Sequence, residues 1–274
     1  MRRVILVFLV IFSLSAGTAY PFWIWTPKTG KWVNPKNTPK EDPKAQFDFA
    51  KGFYDEKKLD DALREFKKLL KAYPKSFEAS ESQYYLGLIE EERGNLYEAY
   101  QAYQKLVDKY PFSERIKEVV EKEYNIADKF MSGYKRKAFG VDLPVENPAI
   151  EIFTKVVDNS TYGPLAHKAQ YKLGLVLKGV QRYYDAEDAF NKVVSNYPDS
   201  EWSAAAKFQI ATCRAAVSRS PDYDQGASGE AKQKFEEFVA EHPDAVLSRE
   251  AEENIARLNE KEAQSSFKIG RAHV

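Results

Sequence analysis

At 274 residues, with 43% apolar and 14% aromatic side chains, the chain can bury one large core or two ordinary ones, which excludes a disordered polymer. Lysine plus arginine and aspartate plus glutamate each number 41, so the formal net charge is zero. That argues against a general nucleic-acid binder, which needs a basic face, while leaving room for a local charged patch. The single cysteine, Cys213, excludes an intramolecular disulfide, and its setting in AAKFQIATCRAA reads as a small packed side chain on a helix.

The chain opens with Arg2 and Arg3, then the apolar run VILVFLVIFSL from Val4 to Leu14, then SAGTA. The run is short for a bilayer span, and small residues stand at Gly17 and Ala19. Residues 1–19 are therefore expected to be a signal peptide cut after Ala19, with an uncleaved anchor as the alternative. An exported protein of the periplasm, or of the periplasmic face of the outer membrane in a Gram-negative-type bacterium, follows from that expectation.

Residues 20–43 form a Trp-rich segment and linker. Phe22 to Pro35 reads FWIWTPKTGKWVNP and holds Trp23, Trp25 and Trp32. FWIW and KWV are β-prone, and TPKTG carries turn chemistry between them. A small hairpin is expected, with Trp23 or Trp25 facing Trp32 across the strands. Its tryptophans are candidates to cap the first repeat, to dock a partner or to make a weak membrane contact.

From residue 44 the sequence repeats. Residues 45–74, 82–111, 169–198 and, more brokenly, 206–243 share a small residue (Ala50, Gly87, Gly174, Ala211). A later Ala/aromatic pair follows (Ala62/Phe66, Ala99/Tyr103, Ala186/Phe190, Ala231/Phe235), and then a closing proline (Pro74, Pro111, Pro198, Pro243). From small residue to proline the spacing is 24 positions in the first three. Apolar residues at i, i+3, i+4 and i+7 make each line a pair of amphipathic helices. The small residue permits close approach, the aromatic fills the space, and proline stops the second helix. A degenerate unit fits between the second and third lines, with Ala127 as the small residue and Ala149/Phe153 as the pair. MSGYKRKAFGVDLPVE reads as a loop inserted within it, and VSRSPDYDQGASG as a second loop in the last clear unit.

This pattern resembles the tetratricopeptide repeat, with Gln46, Gln83 and Gln170 where its usual first-helix Trp stands. The resemblance implies an all-α, right-handed superhelix of stacked helical hairpins over residues 44–268. Its units lie near 44–74, 76–111, 113–161, 164–198 and 200–243, with a partial one at 245–268. The last six residues, IGRAHV, match one reading frame of a sequencing adapter. The expectation is that 269–274 are an artefact and that the natural frame continues past about Lys268.

The stretch from Pro148 to Ile269, with an Asp-rich loop at Asp222 to Asp224 and a long charged helix, resembles the BamD (YfiO) family of outer-membrane β-barrel assembly. Two departures stand against it. These proteins are normally lipoproteins, and no anchor cysteine lies near Ala19. The family's last repeat, which meets its barrel partner, lies beyond the end of this sequence. The resemblance implies a non-catalytic scaffold whose partners are a β-barrel assembly component or unfolded outer-membrane protein segments. The open alternatives are an envelope adaptor for peptidoglycan or polysaccharide-export machinery and an accessory region of a larger enzyme.

The chemistry-bearing patterns point the same way. His167, His242 and His273 are scattered, and there is no CxxC, HExxH, P-loop or GxSxG. No catalytic residue, cofactor or metal is therefore expected, and the partners are proteins rather than nucleic acid. By the repeat register the concave face of such a stack would carry Phe47, Lys51, Tyr54, Tyr84, Leu88, Glu91, Tyr171, Leu175, Lys178 and Phe208. Packing between helices is the competing role for each aromatic.

Overall fold

The computed structural model describes residues 23–27, 30–34, 38–135, 137–138, 141–142, 146–217 and 225–272. The leader, Asp222 to Asp224 and His273 fall outside these. Eleven helices are found among the described residues: α1 (Pro43–Asp55), α2 (Leu59–Ala72), α3 (Phe77–Glu92), α4 (Leu96–Lys109), α5 (Ile116–Met131), α6 (Pro148–Asn159), α7 (Ala166–Gly179), α8 (Tyr183–Asn196), α9 (Ser203–Val217), α10 (Gln225–Glu241) and α11 (Val246–Ala272). Two short ribbons accompany them: β1 (Ile24–Thr26) with β2 (Lys31–Val33), and β3 (Lys137–Ala138) with β4 (Val141–Asp142), both antiparallel. The chain divides into two compact units, residues 1–82 and 83–274.

In the first unit the expected hairpin forms. Trp25 lies opposite Trp32, their rings edge-to-face at 5.8 Å, and Gly30 takes φ +60° where its N–H bonds Thr26 O at 3.0 Å. The linker is then tied to the first helical hairpin. Lys40 N–H donates to Gln46 Oε1 at 2.8 Å, Tyr73 Oη donates to Lys40 O at 2.5 Å, and Lys40 Nζ sits 4.0 Å over the Phe49 ring. Asp42 caps α1 by accepting from Ala45 N–H at 2.8 Å, with Pro43 in the first turn where no N–H is needed.

In the second unit, α3 (from residue 83) to α11 supply a continuous series of hairpins with two buried clusters. The larger runs from Tyr84 to Cys213, and the smaller gathers Phe208, Phe235, Phe238, Ala251 and Leu258. The small-residue rule has a direct geometric cause. A Cβ on Gly87 would lie 2.2 Å from Tyr103 Cε1, and one on Gly174 would lie 2.5 Å from Phe190 Cε1. The aromatic ring fills the volume a methyl would need.

Within the hairpins, one left-handed residue makes each tight turn: Lys57 (φ +60°), Gly94 (φ +76°) and Gln181 (φ +64°), each seven positions after its small residue. Paired backbone bonds close these turns, as in Gln181 N–H to Lys178 O at 3.0 Å and Arg182 N–H to Leu177 O at 3.0 Å. α5 leaves through a turn of the same kind at Gly133 (φ +100°), with Gly133 N–H on Phe130 O at 3.1 Å and Tyr134 N–H on Lys129 O at 3.0 Å; the insertion follows it, and part of the expected loop pairs as β3 and β4. The second expected loop is shorter than its Gly and Ser content implies, because α10 already begins at Gln225 and buries Ser228 ahead of Ala231. At the other end the partial unit at 245–268 is one uninterrupted helix, since no Pro or Gly breaks α11 between Val246 and Ile269.

Candidate protein-binding face

Each hairpin is built around one aromatic pair. Phe47 meets Phe66 (ring centroids 5.7 Å), Tyr84 meets Tyr103 (6.1 Å), Tyr124 meets Phe153 (5.7 Å), Tyr171 meets Phe190 (5.5 Å) and Phe208 meets Phe235 (5.7 Å). The first-helix member stands three positions before the small residue, so it points into the hairpin. Tyr84, Tyr171 and Phe208 are accordingly buried, and Phe47 is half-buried. Burial pushes the Tyr84 hydroxyl well above the ordinary tyrosine range and raises that of Tyr171, against which a bond to Gln209 acts.

The glutamines in the Trp position have a shared job. Gln46 Nε2 donates to Glu65 O at 3.1 Å, Gln83 Nε2 to Ala102 O at 2.9 Å and Gln170 Nε2 to Ala189 O at 3.0 Å. Each buried amide clamps its own hairpin through a carbonyl 19 residues on. In the α5–α6 hairpin the same position is Glu123, fully buried. Its Oε2 accepts from Asn159 Nδ2 at 3.3 Å, while Oε1 has no hydrogen-bond partner among the described residues. Burial raises this carboxyl from its ordinary 4.5 to about 8; Asp108 adds to the rise, and Asn159 and Lys155 oppose it.

The remaining first-helix positions of the second unit form a row of polar rungs. Tyr84 Oη donates to Glu118, whose Oε2 also pairs with Arg115 at 2.9 Å, and Arg115 lies 4.6 Å over the Tyr84 ring. Partial burial tends to raise the Glu118 carboxyl, but the bonds from Tyr84 and Arg115 outweigh it and hold the group below the usual range. Glu91 accepts from Lys122 at 3.1 Å and from Tyr103 Oη at 2.9 Å. Asp128 pairs with Lys172, which also lies over the Tyr124 ring, and Lys178 bonds Gln209. Leu88 and Leu175 stand half-buried on the same helix faces. Of the face read from the sequence, Tyr84 (through its hydroxyl), Leu88, Glu91, Leu175 and Lys178 belong to this row. In the first unit Lys51 pairs with Asp55 at 2.6 Å, and Tyr54 lies beneath Lys57.

Sequence reasoning missed Arg115, Glu118, Lys122, Asp128, Lys172 and Gln209. A signal existed for one of them. Asp128 follows the small residue Ala127 as Leu88 follows Gly87 and Leu175 follows Gly174. A cleft of about 350 Å³ opens nearby, lined by Ile116, Val120 and Leu165 together with Glu114, Lys117 and Glu121. Phe112 and Tyr162, 99% and 95% exposed, stand in the two turns beside it.

No group of three or more metal-ligating side chains occurs among the described residues, and no described helix is long and apolar enough to cross a membrane. Cys213 is buried in the larger core, and burial pushes its thiol up to about 11. The face therefore offers fixed charges of both signs beside aliphatic side chains, which suits the side chains of a bound polypeptide.

Two family models described as tetratricopeptide repeat match residues 47–114 and 168–200. Among solved structures, the C-terminal part of a repeat protein of this kind from Cytophaga hutchinsonii is 20% identical. It covers 83% of this chain and 88% of its own, with a TM-score of 0.40. The MamA protein is 21% identical over 73% of this chain and 92% of its own, at a TM-score of 0.37. YrrB, described as having an unusual peptide-binding site, is 16% identical over 78% and 93%, at 0.38. No curated protein matches the sequence. The fold is an all-α, tetratricopeptide-type repeat stack, a class of generally non-catalytic scaffolds that bind protein partners.

Proposed function

We propose that this chain is an exported, non-catalytic scaffold that holds protein partners at the periplasmic face of the outer membrane, in a BamD-like role in β-barrel assembly. The observation that carries the binding reading is the row of rungs from Tyr84–Glu118 to Lys178–Gln209, with Leu88 and Leu175 beside them. Such a row fixes charge positions in advance, so a partner segment meets ordered side chains and little entropy is lost on docking. The leader-like residues 1–19 and the resemblance over Pro148 to Ile269 support the location and the family role. That no cysteine stands near Ala19, unlike in the lipoproteins of that family, favours a second reading, an adaptor for peptidoglycan or polysaccharide-export machinery.

Photo-crosslinkers placed at Leu88 and Leu175 of the full chain, in its own host, separate the two. Cross-links to a β-barrel assembly component or to nascent barrel segments are expected. Cross-links to murein enzymes or export components would replace the first reading with the second. Lys122→Glu combined with Lys172→Glu should lower capture about tenfold or more, because both rungs then carry like charges.

A further inference from the structure

We infer that the Trp-rich hairpin is a docking surface for anionic lipid bilayers, separate from the protein-binding face of the repeats. Trp25 and Trp32 lie directly across the ribbon from each other, and Trp23, two residues before Trp25, falls on the same face by the two-residue period of a strand. These side chains are not covered: Trp23 is 59% exposed, Trp25 48% and Trp32 62%. Two tryptophans on a six-residue ribbon and a third just before it are a large apolar area to leave in water.

Charge identifies the occupant. From Tyr20 to Lys40 the sequence carries Lys28, Lys31, Lys36 and Lys40 and no aspartate or glutamate, in a chain whose formal net charge is zero. A local excess of positive charge in the sequence around the tryptophans complements a surface of negative headgroups over an apolar interior. Indole prefers that boundary, since its body is apolar and its single N–H needs an acceptor. Basic residues near an anionic leaflet add to the attraction and make it sensitive to salt. Strand pairing satisfies only the inner backbone groups of the ribbon, so its two open edges hold it at the headgroup boundary, where water still reaches them.

The tie at Lys40 connects this surface to the scaffold. Lys40 is bonded through its N–H to Gln46 and through its carbonyl to Tyr73, and its ammonium is engaged over Phe49. A bilayer contact at the hairpin would therefore lie a few residues in sequence from Lys40, where the chain is fixed to the first repeat. The inference does not rest on the β-barrel assembly reading, because it concerns lipids and a different part of the chain.

The test uses the full chain, its Trp25→Ala/Trp32→Ala double variant and its Lys28→Glu/Lys31→Glu double variant. Vesicles of phosphatidylglycerol with phosphatidylethanolamine, and of phosphatidylcholine alone, are the probes. Quenching of tryptophan fluorescence by lipids brominated on their acyl chains reads the indoles directly. Trp202, packed against Tyr171 at 4.9 Å, is the reference in the repeats. Quenching is expected on the anionic vesicles, with binding about tenfold weaker on phosphatidylcholine and in the lysine double variant. The tryptophan double variant should lose most of the quenching while its thermal unfolding is unchanged. Unquenched indoles on anionic vesicles would overturn the inference and leave the hairpin as a cap or a protein-docking strand. Equal quenching on both vesicle types, or in both lysine forms, would overturn the charge argument on which the choice of lipid rests.

Discussion

The hairpins α5–α6 and α7–α8 share a register and are held differently. Both have a small residue on the first helix (Ala127, Gly174) and a tyrosine–phenylalanine pair inside (Tyr124–Phe153, Tyr171–Phe190). In α7–α8 the backbone reinforces the packing, through the left-handed turn at Gln181 and the Gln170 amide on Ala189 O. In α5–α6 the left-handed exit persists at Gly133, but the insertion separates it from α6, and the clamp position is a carboxyl, Glu123. A side-chain network takes over, in which Asn159 donates to Gln104 at 2.9 Å and to Glu123 at 3.3 Å. Aromatic packing is thus the shared requirement of the repeat, and the means of fixing its two helices can change.

If packing is what the two hairpins share, removing it should hurt both alike. Tyr171→Ala and Tyr124→Ala should each cost about 3 to 5 kcal/mol, as large aromatic truncations in cores do. Urea titration followed by circular dichroism measures this. Tyr171→Ala that kept its stability and lost partner capture would move Tyr171 from the core to the binding face.

The clamp position separates the hairpins by pH. The Glu123 carboxyl titrates near 4.5 when unfolded and near 8 when folded, mainly through burial. Between those values the folded state keeps a proton that the unfolded state releases. Stability should therefore fall as pH rises across that window and level off on either side. Asp108 raises the folded value further, and Lys155 and Asn159 temper it. Glu123→Gln supplies a neutral donor like Gln170 and removes the titration. The wild type should lose on the order of a few kcal/mol between about pH 5 and about pH 8.5 relative to the variant. Thermal unfolding at the two pH values reads this, and parallel behaviour of the two proteins would show that Glu123 does not titrate.

Much of this architecture was legible in the sequence because close helix approach leaves few choices. Gly87 and Gly174 must be small where Tyr103 and Phe190 enter, so the small residue, the aromatic and the closing proline recur at fixed spacing. The Trp hairpin was legible from TPKTG between two β-prone runs. The orientation of Tyr84, Tyr171 and Phe208 was harder to read. Position on the first helix gives two adjacent faces, one toward its own partner helix and one toward the next repeat, and an aromatic suits both. The clamp by Gln46, Gln83 and Gln170 needs a carbonyl 19 residues away to be seen, and the rungs need neighbouring repeats. QGASG misled because Gly and Ser favour loops locally, whereas packing of α10 through Ser228 and Ala231 overrides that preference.

The smallest difference between the hairpins lies at their exits, and there the substitution should stabilise. Gln181 holds φ +64° at the position where the α3–α4 hairpin has Gly94 at φ +76°. A side chain with a Cβ is strained in that region, and glycine is not. Gln181→Gly relieves the strain and gives back part of the gain through the greater freedom of the unfolded chain, so a net increase of up to about 1 kcal/mol is expected. The α5–α6 hairpin already leaves α5 through Gly133 at φ +100°, so Gly133→Ala should move stability the other way by a similar amount. Opposite signs in the two hairpins, measured by urea titration, would locate the cost in backbone conformation. A loss in both would mean that Gln181 contributes through its side chain, and the tight turn would then owe its stability to more than the bonds at Lys178 and Leu177.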